Sequence, residues 1–125
     1  MDSKQKILVI EDDQMIKDAY QITLQNSGFL VYTATTGEEG LEKSNSFLPD
    51  LILLDIFLPK MSGFDVIEKL KQDSVLSKIP VIVLTNIYVD RMDMLKKGVE
   101  RCFIKSEITP GEMVDKVRET LSRTV

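Results

Sequence analysis

The chain contains no histidine. That single absence removes histidine-based acid–base catalysis, the usual zinc sites, and any role in which this chain itself carries phosphate on an imidazole. Cysteine is almost missing too: Cys102 stands alone, so no intrachain disulfide can form, and a reducing, cytoplasmic setting is expected. No apolar run approaches the length needed to cross a bilayer, and Met1-Asp2-Ser3-Lys4 is not the start of a signal peptide. Positive charge is in deficit, with a net charge of −4, which argues against a direct nucleic-acid surface. Repeats, low-complexity tracts and linkers are absent as well. What is left is 125 residues, 43% of them hydrophobic, enough for one domain spanning 1–125 with its own core.

Two textures alternate along that length. Short apolar runs occur at Lys6–Ile10, Leu30–Ala34, Leu51–Leu54, Val81–Leu84 and Cys102–Ile104. Three of them are nearly continuous in apolar residues, as strands covered on both faces of a parallel sheet should be. Between them lie stretches with helical spacing. Ile16, Ala19, Tyr20 and Thr23 share one face of the first; Phe64, Ile67 and Leu70 one face of the third; Met113, Val114, Val117 and Leu121 one face of the last. The fourth, around Val89–Lys97, has the weakest stripe.

The punctuation agrees. Thr109-Pro110-Gly111-Glu112 has a capping threonine, a proline at the first helical position and the glutamate that reaches back. Thr36 and Ser62 open helices in the same way, Asp13 can cap the first, and Gly28 and Gly98 stand where helices should stop. The expected fold is therefore α/β, a (βα)5 three-layer sandwich around a parallel sheet, to which one common order of such doubly wound sheets, 2-1-3-4-5, is assigned by analogy. Sheets of this kind bind ligands beyond the carboxyl ends of their strands. Those ends carry Glu11-Asp12-Asp13, Asp55, Thr85 and Lys105.

Each of these residues has an ordinary explanation when taken singly. Aspartate caps helices, threonine follows strands, and lysine covers surface; Asp13 is read as just such a cap. Gathered at one edge they describe a pocket. Clustered carboxylates are costly without a cation, and Mg2+ suits a few carboxylate oxygens with waters or phosphate oxygens completing its octahedron. A carboxylate can attack phosphorus to give an aspartyl phosphate. Lys105 and Thr85 offer a charge and a hydroxyl to a phosphoryl group arriving there.

Over essentially its whole length the chain resembles the receiver domain of two-component response regulators, similar to stand-alone chemotaxis-type receivers with a flavodoxin-like fold. Lys6–Asp12 (KILVIED) resembles the opening strand with its acidic pair. Asp50–Gly63 (DLILLDIFLPKMSG) resembles the phosphoacceptor strand and the Leu-Pro-x-Met-x-Gly loop after it. The resemblance implies Asp55 as phosphoacceptor and catalytic residue, with Thr85 and Lys105. It implies a Mg2+ site made by Asp12, Asp55 and the Phe57 backbone carbonyl, with Glu11 acting through water. The phosphodonor would be a sensor histidine kinase or histidine phosphotransfer protein, and a downstream target protein would read a changed surface. The chain would be no enzyme beyond its own phosphorylation and dephosphorylation, a monomer or weak dimer without direct contact to nucleic acid or membrane.

Four departures from the family pattern shape further expectations. Asn86 follows Thr85 in place of a small residue, and the Thr85–Gly98 stretch is about two residues short. Ser106 replaces the usual proline, so a trans Lys105–Ser106 bond is expected. Cys102 stands where a switching aromatic is usual; it is expected to be buried and passive, with Thr85 and Tyr88 carrying the switch. Phe57 and Ile87 should flank the path of a hydrolytic water and prolong the phosphorylated state. Three rival readings are weaker. A phosphorylation-independent pseudo-receiver sits poorly with a complete acidic pocket. An aspartate-nucleophile phosphatase needs Asp-x-Asp where Glu11-Asp12-Asp13-Gln14 stands, and a flavin site needs a Ser/Thr/Gly-rich loop after the first strand.

Overall fold

The computed structural model describes residues 4–123. Met1–Ser3 and Thr124–Val125, part of the expected 1–125 span, lie outside the described residues. Ten main elements alternate: β1 (Lys6–Ile10), α1 (Gln14–Asn26), β2 (Leu30–Ala34), α2 (Gly37–Phe47), β3 (Leu51–Leu54), α3 (Gly63–Gln72), β4 (Val81–Thr85), α4 (Arg91–Lys96), β5 (Arg101–Ile104) and α5 (Pro110–Arg123). The sheet is parallel throughout, in the expected order β2-β1-β3-β4-β5.

The caps follow local chemistry. Asp13 Oδ1 accepts the Ile16 N–H, and Thr36 accepts that of Glu39. Ser62 with Asp65, and Thr109 with Glu112, form reciprocal boxes. Gly28 and Gly98 take left-handed backbone (φ 97° and 89°), which ends α1 and α4 without the cost a Cβ would add.

Alternation along the strands sends side chains into two cores. Leu8, Ile10, Ile52, Leu54, Val81 and Val83 pack with Val66, Ile67, Leu70 and Met94, on the side of α3 and α4. Ile7, Val9, Leu51, Leu53, Ile82 and Leu84 pack with Tyr20, Leu24, Met113, Val114, Val117 and Leu121, on the side of α1 and α5.

The structure corrects some boundaries and faces. β4 runs one residue further, to Thr85, β5 starts at Arg101, and α4 is only the six residues Arg91–Lys96. The inward face of α1 is Lys17, Tyr20 and Leu24; Ala19 is exposed and Thr23 half-buried. Lys17 is an unforeseen member of that face. It lays its aliphatic stem inside and carries its ammonium to Thr35 Oγ1, 2.6 Å away. On α3, Phe64 is partly exposed and Val66 takes the buried place expected of it.

Candidate functional site

Strand parity builds the site. The row Ile10, Leu54, Val83, Cys102 lies level across the sheet. The ladder continues one step on, where the Glu11 N–H bonds Ala34 and the Asp55 N–H bonds Ile10. Glu11 and Asp55 thus share the parity of Val9 and Leu53, and Lys105 shares that of Phe103, all toward α1 and α5. The three side chains meet there. Lys105 Nζ lies 2.6 Å from Glu11 Oε1 and 2.7 Å from Asp55 Oδ2. Thr85 continues the opposite parity, that of Val81 and Val83, and approaches from the other side.

Nearly every polar atom here is spoken for. Glu11 Oε2 accepts the Asp13 N–H at 3.0 Å, and Asp55 Oδ1 accepts the Phe57 N–H at 3.1 Å. The Thr85 hydroxyl oxygen accepts the Ile87 N–H at 3.2 Å and is wholly buried. Burial lifts the Glu11 carboxyl above its ordinary value, and hydrogen bonds from Lys105 and Asp13 offset only part of that. Burial alone would lower the Lys105 ammonium; hydrogen bonds to Asp55 and Glu11 outweigh it and hold the group charged to higher pH than usual.

Each residue expected at the site is accounted for. Glu11, Asp12, Asp55, Phe57, Thr85 and Lys105 all line one cavity of about 380 Å³. Glu11 and Asp55 are buried, while Asp12 is exposed at the rim. The Phe57 side chain stands mostly in solvent at the mouth. Asp13 serves as the α1 cap, as expected. The Lys105–Ser106 peptide is trans, also as expected. Tyr88 is 85% exposed and lies outside the cavity lining. Cys102 is only half-buried, less enclosed than expected, because β5 is an edge strand; burial still raises its thiol above the ordinary value. The sequence reading missed two contacts: the Glu11–Lys105 pair, and a hydrogen bond from the Ser106 N–H to Asn86 Oδ1 at 3.0 Å. Strand parity was a signal for the first; nothing local announces the second.

A larger groove of about 670 Å³ lies between α3 and α4, over Phe64 and Ile67. Its rim carries two acids, Glu68 and Asp93, and two bases, Lys71 and Lys97, with Lys97 paired to Asp93 along the helix. Chemistry and not size picks out the smaller cavity. Among the described residues, Glu11, Asp12 and Asp55 can each place a carboxylate oxygen within 4.8 Å of the others. Hard oxygen donors on an open rim suit Mg2+, with room for water or phosphate oxygens. No helix among the described residues is long and apolar enough to cross a membrane.

Known proteins agree with this geometry. Residues 7–118 match the family described as the response regulator receiver domain. The chain is 34% identical to the alkaline phosphatase synthesis transcriptional regulatory protein PhoP of Bacillus subtilis, over 95% of this chain and 49% of that protein. It is 35% identical to the DNA-binding dual master transcriptional regulator RpaA of Synechocystis, over 95% of this chain and 50% of that one. It thus spans about half the length of the curated relatives it matches. A CheY-like response regulator receiver domain protein from Methanospirillum hungatei superposes with a TM-score of 0.88 at 29% identity, covering 98% of this chain and 97% of that one. With its 2-1-3-4-5 sheet, its acidic rim and the match over residues 7–118, this chain belongs to the receiver-domain family of two-component response regulators.

Proposed function

We propose that Asp55 is the phosphoacceptor of a receiver unit formed by residues 1–125, and that it takes its phosphoryl group from a phosphohistidine on a sensor histidine kinase or histidine phosphotransfer protein. The observation that carries this is the placement of the Asp55 carboxylate: buried, 2.7 Å from the Lys105 ammonium, and beside Glu11 and Asp12. A carboxylate oxygen of Asp55 attacks phosphorus, an O–P bond forms as the N–P bond breaks, and the electron pair leaves with the donor imidazole. Lys105 then neutralises a phosphoryl oxygen, and Thr85 turns its hydroxyl from accepting the Ile87 N–H to donating to another.

Asp12, Asp55 and the Phe57 backbone carbonyl would hold Mg2+, with Glu11 reaching it through water. Bound there, the metal supplies charge neutralisation and alignment for the phosphoryl oxygens. The chain acts on no other substrate; it catalyses only the gain and loss of its own phosphoryl group. We place it in the cytoplasm, as a monomer or weak dimer, signalling to a target protein through an altered surface and making no direct contact with nucleic acid.

The test is intact-mass measurement after incubation with acetyl phosphate and Mg2+. One phosphoryl group is expected on the native chain and none on Asp55→Asn, whose amide is not a nucleophile. Asp12→Asn should raise the Mg2+ requirement sharply, because few anionic ligands remain. Equal incorporation into Asp55→Asn would overturn the assignment.

A further inference from the structure

β4 and the segment after it present two consecutive side chains that each accept a backbone N–H. Thr85 accepts that of Ile87, and Asn86 Oδ1 accepts that of Ser106. The second bond joins residues twenty apart in sequence and ties the end of β4 to the turn that follows β5.

That turn holds itself poorly. Lys105–Glu107 is one 3-10 turn, and the N–H groups at its start have no partner inside it. The residue before it, Ile104, gives no side-chain cap. Its own closing bond, from the Ile108 N–H to the Lys105 carbonyl, is long at 3.4 Å. β5 is the edge of the sheet, so no further strand braces it. Yet from this turn Lys105 must deliver its ammonium to two carboxylates at once, through a stem with several free torsions.

We propose that Asn86 is a positioning residue: by holding the Ser106 N–H it fixes the turn that carries Lys105, and so keeps that ammonium against Asp55 and Glu11. A proline at 106 would offer no N–H, so this clasp requires the residue pair present here. The consequence for phosphoryl transfer rests on Asp55 being the phosphoacceptor; the clasp itself is a property of the unphosphorylated chain.

The experiment compares the native chain with Asn86→Ala and Asn86→Asp by NMR, and then measures initial rates of incorporation from phosphoramidate with Mg2+. In Asn86→Ala, Ser106 amide exchange should quicken roughly five- to tenfold, the loss of one hydrogen bond. The Lys105 ammonium signal should broaden, and transfer should slow by a similar factor, while Mg2+ affinity stays within about twofold because the carboxylates are untouched. Asn86→Asp keeps an accepting oxygen and should keep both the Ser106 protection and the Lys105 signal. Unchanged Ser106 protection in Asn86→Ala would overturn the proposal. So would lost protection with an unaltered Lys105 signal and rate, or a failure of Asn86→Asp to restore them. If the native chain accepts no phosphoryl group, the Asp55 reading fails, and the Ser106 and Lys105 signals still decide on the clasp.

Discussion

Replacing Lys105 with methionine keeps most of the side-chain volume and removes the charge. In the native chain one part-buried ammonium serves the buried carboxylates of Glu11 and Asp55 at 2.6 and 2.7 Å. Without it, carboxylates that can approach within 4.8 Å of each other would face one another unshielded. At an effective dielectric near 20, two unit charges at that separation repel by about 3–4 kcal/mol. Removing one partner of a buried ion pair typically costs about 3–5 kcal/mol. For a domain of this size that corresponds to a fall in Tm of roughly 10–20 °C in metal-free buffer at neutral pH.

The sign of the pH dependence follows from Glu11. Its folded value is raised by burial, so the folded state holds that proton more tightly than the unfolded chain does. The stability this contributes is present below the ordinary carboxylate value and is lost as pH rises through the folded value. In Lys105→Met the offsetting hydrogen bond and charge disappear, and Glu11 rises further. The deficit should therefore be small in mild acid, full at neutral pH, and largely closed by saturating Mg2+. Thermal unfolding with chelator and with Mg2+, at both pH values, reads all three effects. A deficit independent of pH and untouched by Mg2+ would refute the electrostatic reasoning and make Lys105 a packing residue. In the native chain the Lys105 value is itself raised, so its own contribution holds through neutral pH and fades only as pH climbs through that raised value.

Gly63→Ala should cost about 1–3 kcal/mol in urea unfolding and also slow phosphoryl transfer. Its Cβ would fall 2.5 Å from the Asp55 carbonyl oxygen and 2.6 Å from the Ile56 Cα, both backbone atoms that no rotamer change can move; native stability in the variant would contradict this. Phe57→Asn should speed loss of phosphate roughly tenfold or more, followed by mass spectrometry after donor removal, because an amide orients water where an exposed ring cannot; a slower variant would refute it. Cys102→Ser should leave beryllofluoride-induced amide shifts largely intact, whereas Thr85→Ala should erase them while permitting some phosphorylation. The opposite pattern would move the switch to β5.

The fold was legible because each βα unit carries its own local signals. Apolar runs of four or five residues, caps at Asp13, Thr36, Ser62 and Thr109, and stops at Gly28 and Gly98 all point the same way. The candidate site was legible because a parallel sheet puts every strand's carboxyl end at one edge, so residues as distant as Glu11 and Lys105 become neighbours. The misreadings have a common cause. Helical spacing locates a stripe but not its centre, and polarity misleads where a long stem can be buried. Lys17 displaced Ala19 from the inner face of α1 in this way. The bond between Asn86 and Ser106 was out of reach because it joins two loops whose relative position only the assembled sheet determines.

The residues beyond β4 also limit how a signal can leave the pocket. Cys102 packs against the core beside Val83, and its side chain is too short to exchange a buried for an exposed position. Thr85 has no exposed surface, so any turn of its hydroxyl toward Asp55 must be felt first by the group it already holds, the Ile87 N–H. Asn86, Ile87 and Tyr88 are exposed, and α4 behind them has only six residues. A segment so lightly anchored yields before the two cores do. Among the described residues, the side-chain tether from 86–88 to the rest of the rim is the Asn86–Ser106 bond, which leads back to Lys105. If Asp55 is the phosphoacceptor, a phosphoryl group held by both Thr85 and Lys105 would pull on the two ends of the same link, and the amide shifts it induces are expected first in residues 86–90 and only weakly along β5; shifts confined to β5 would refute this path.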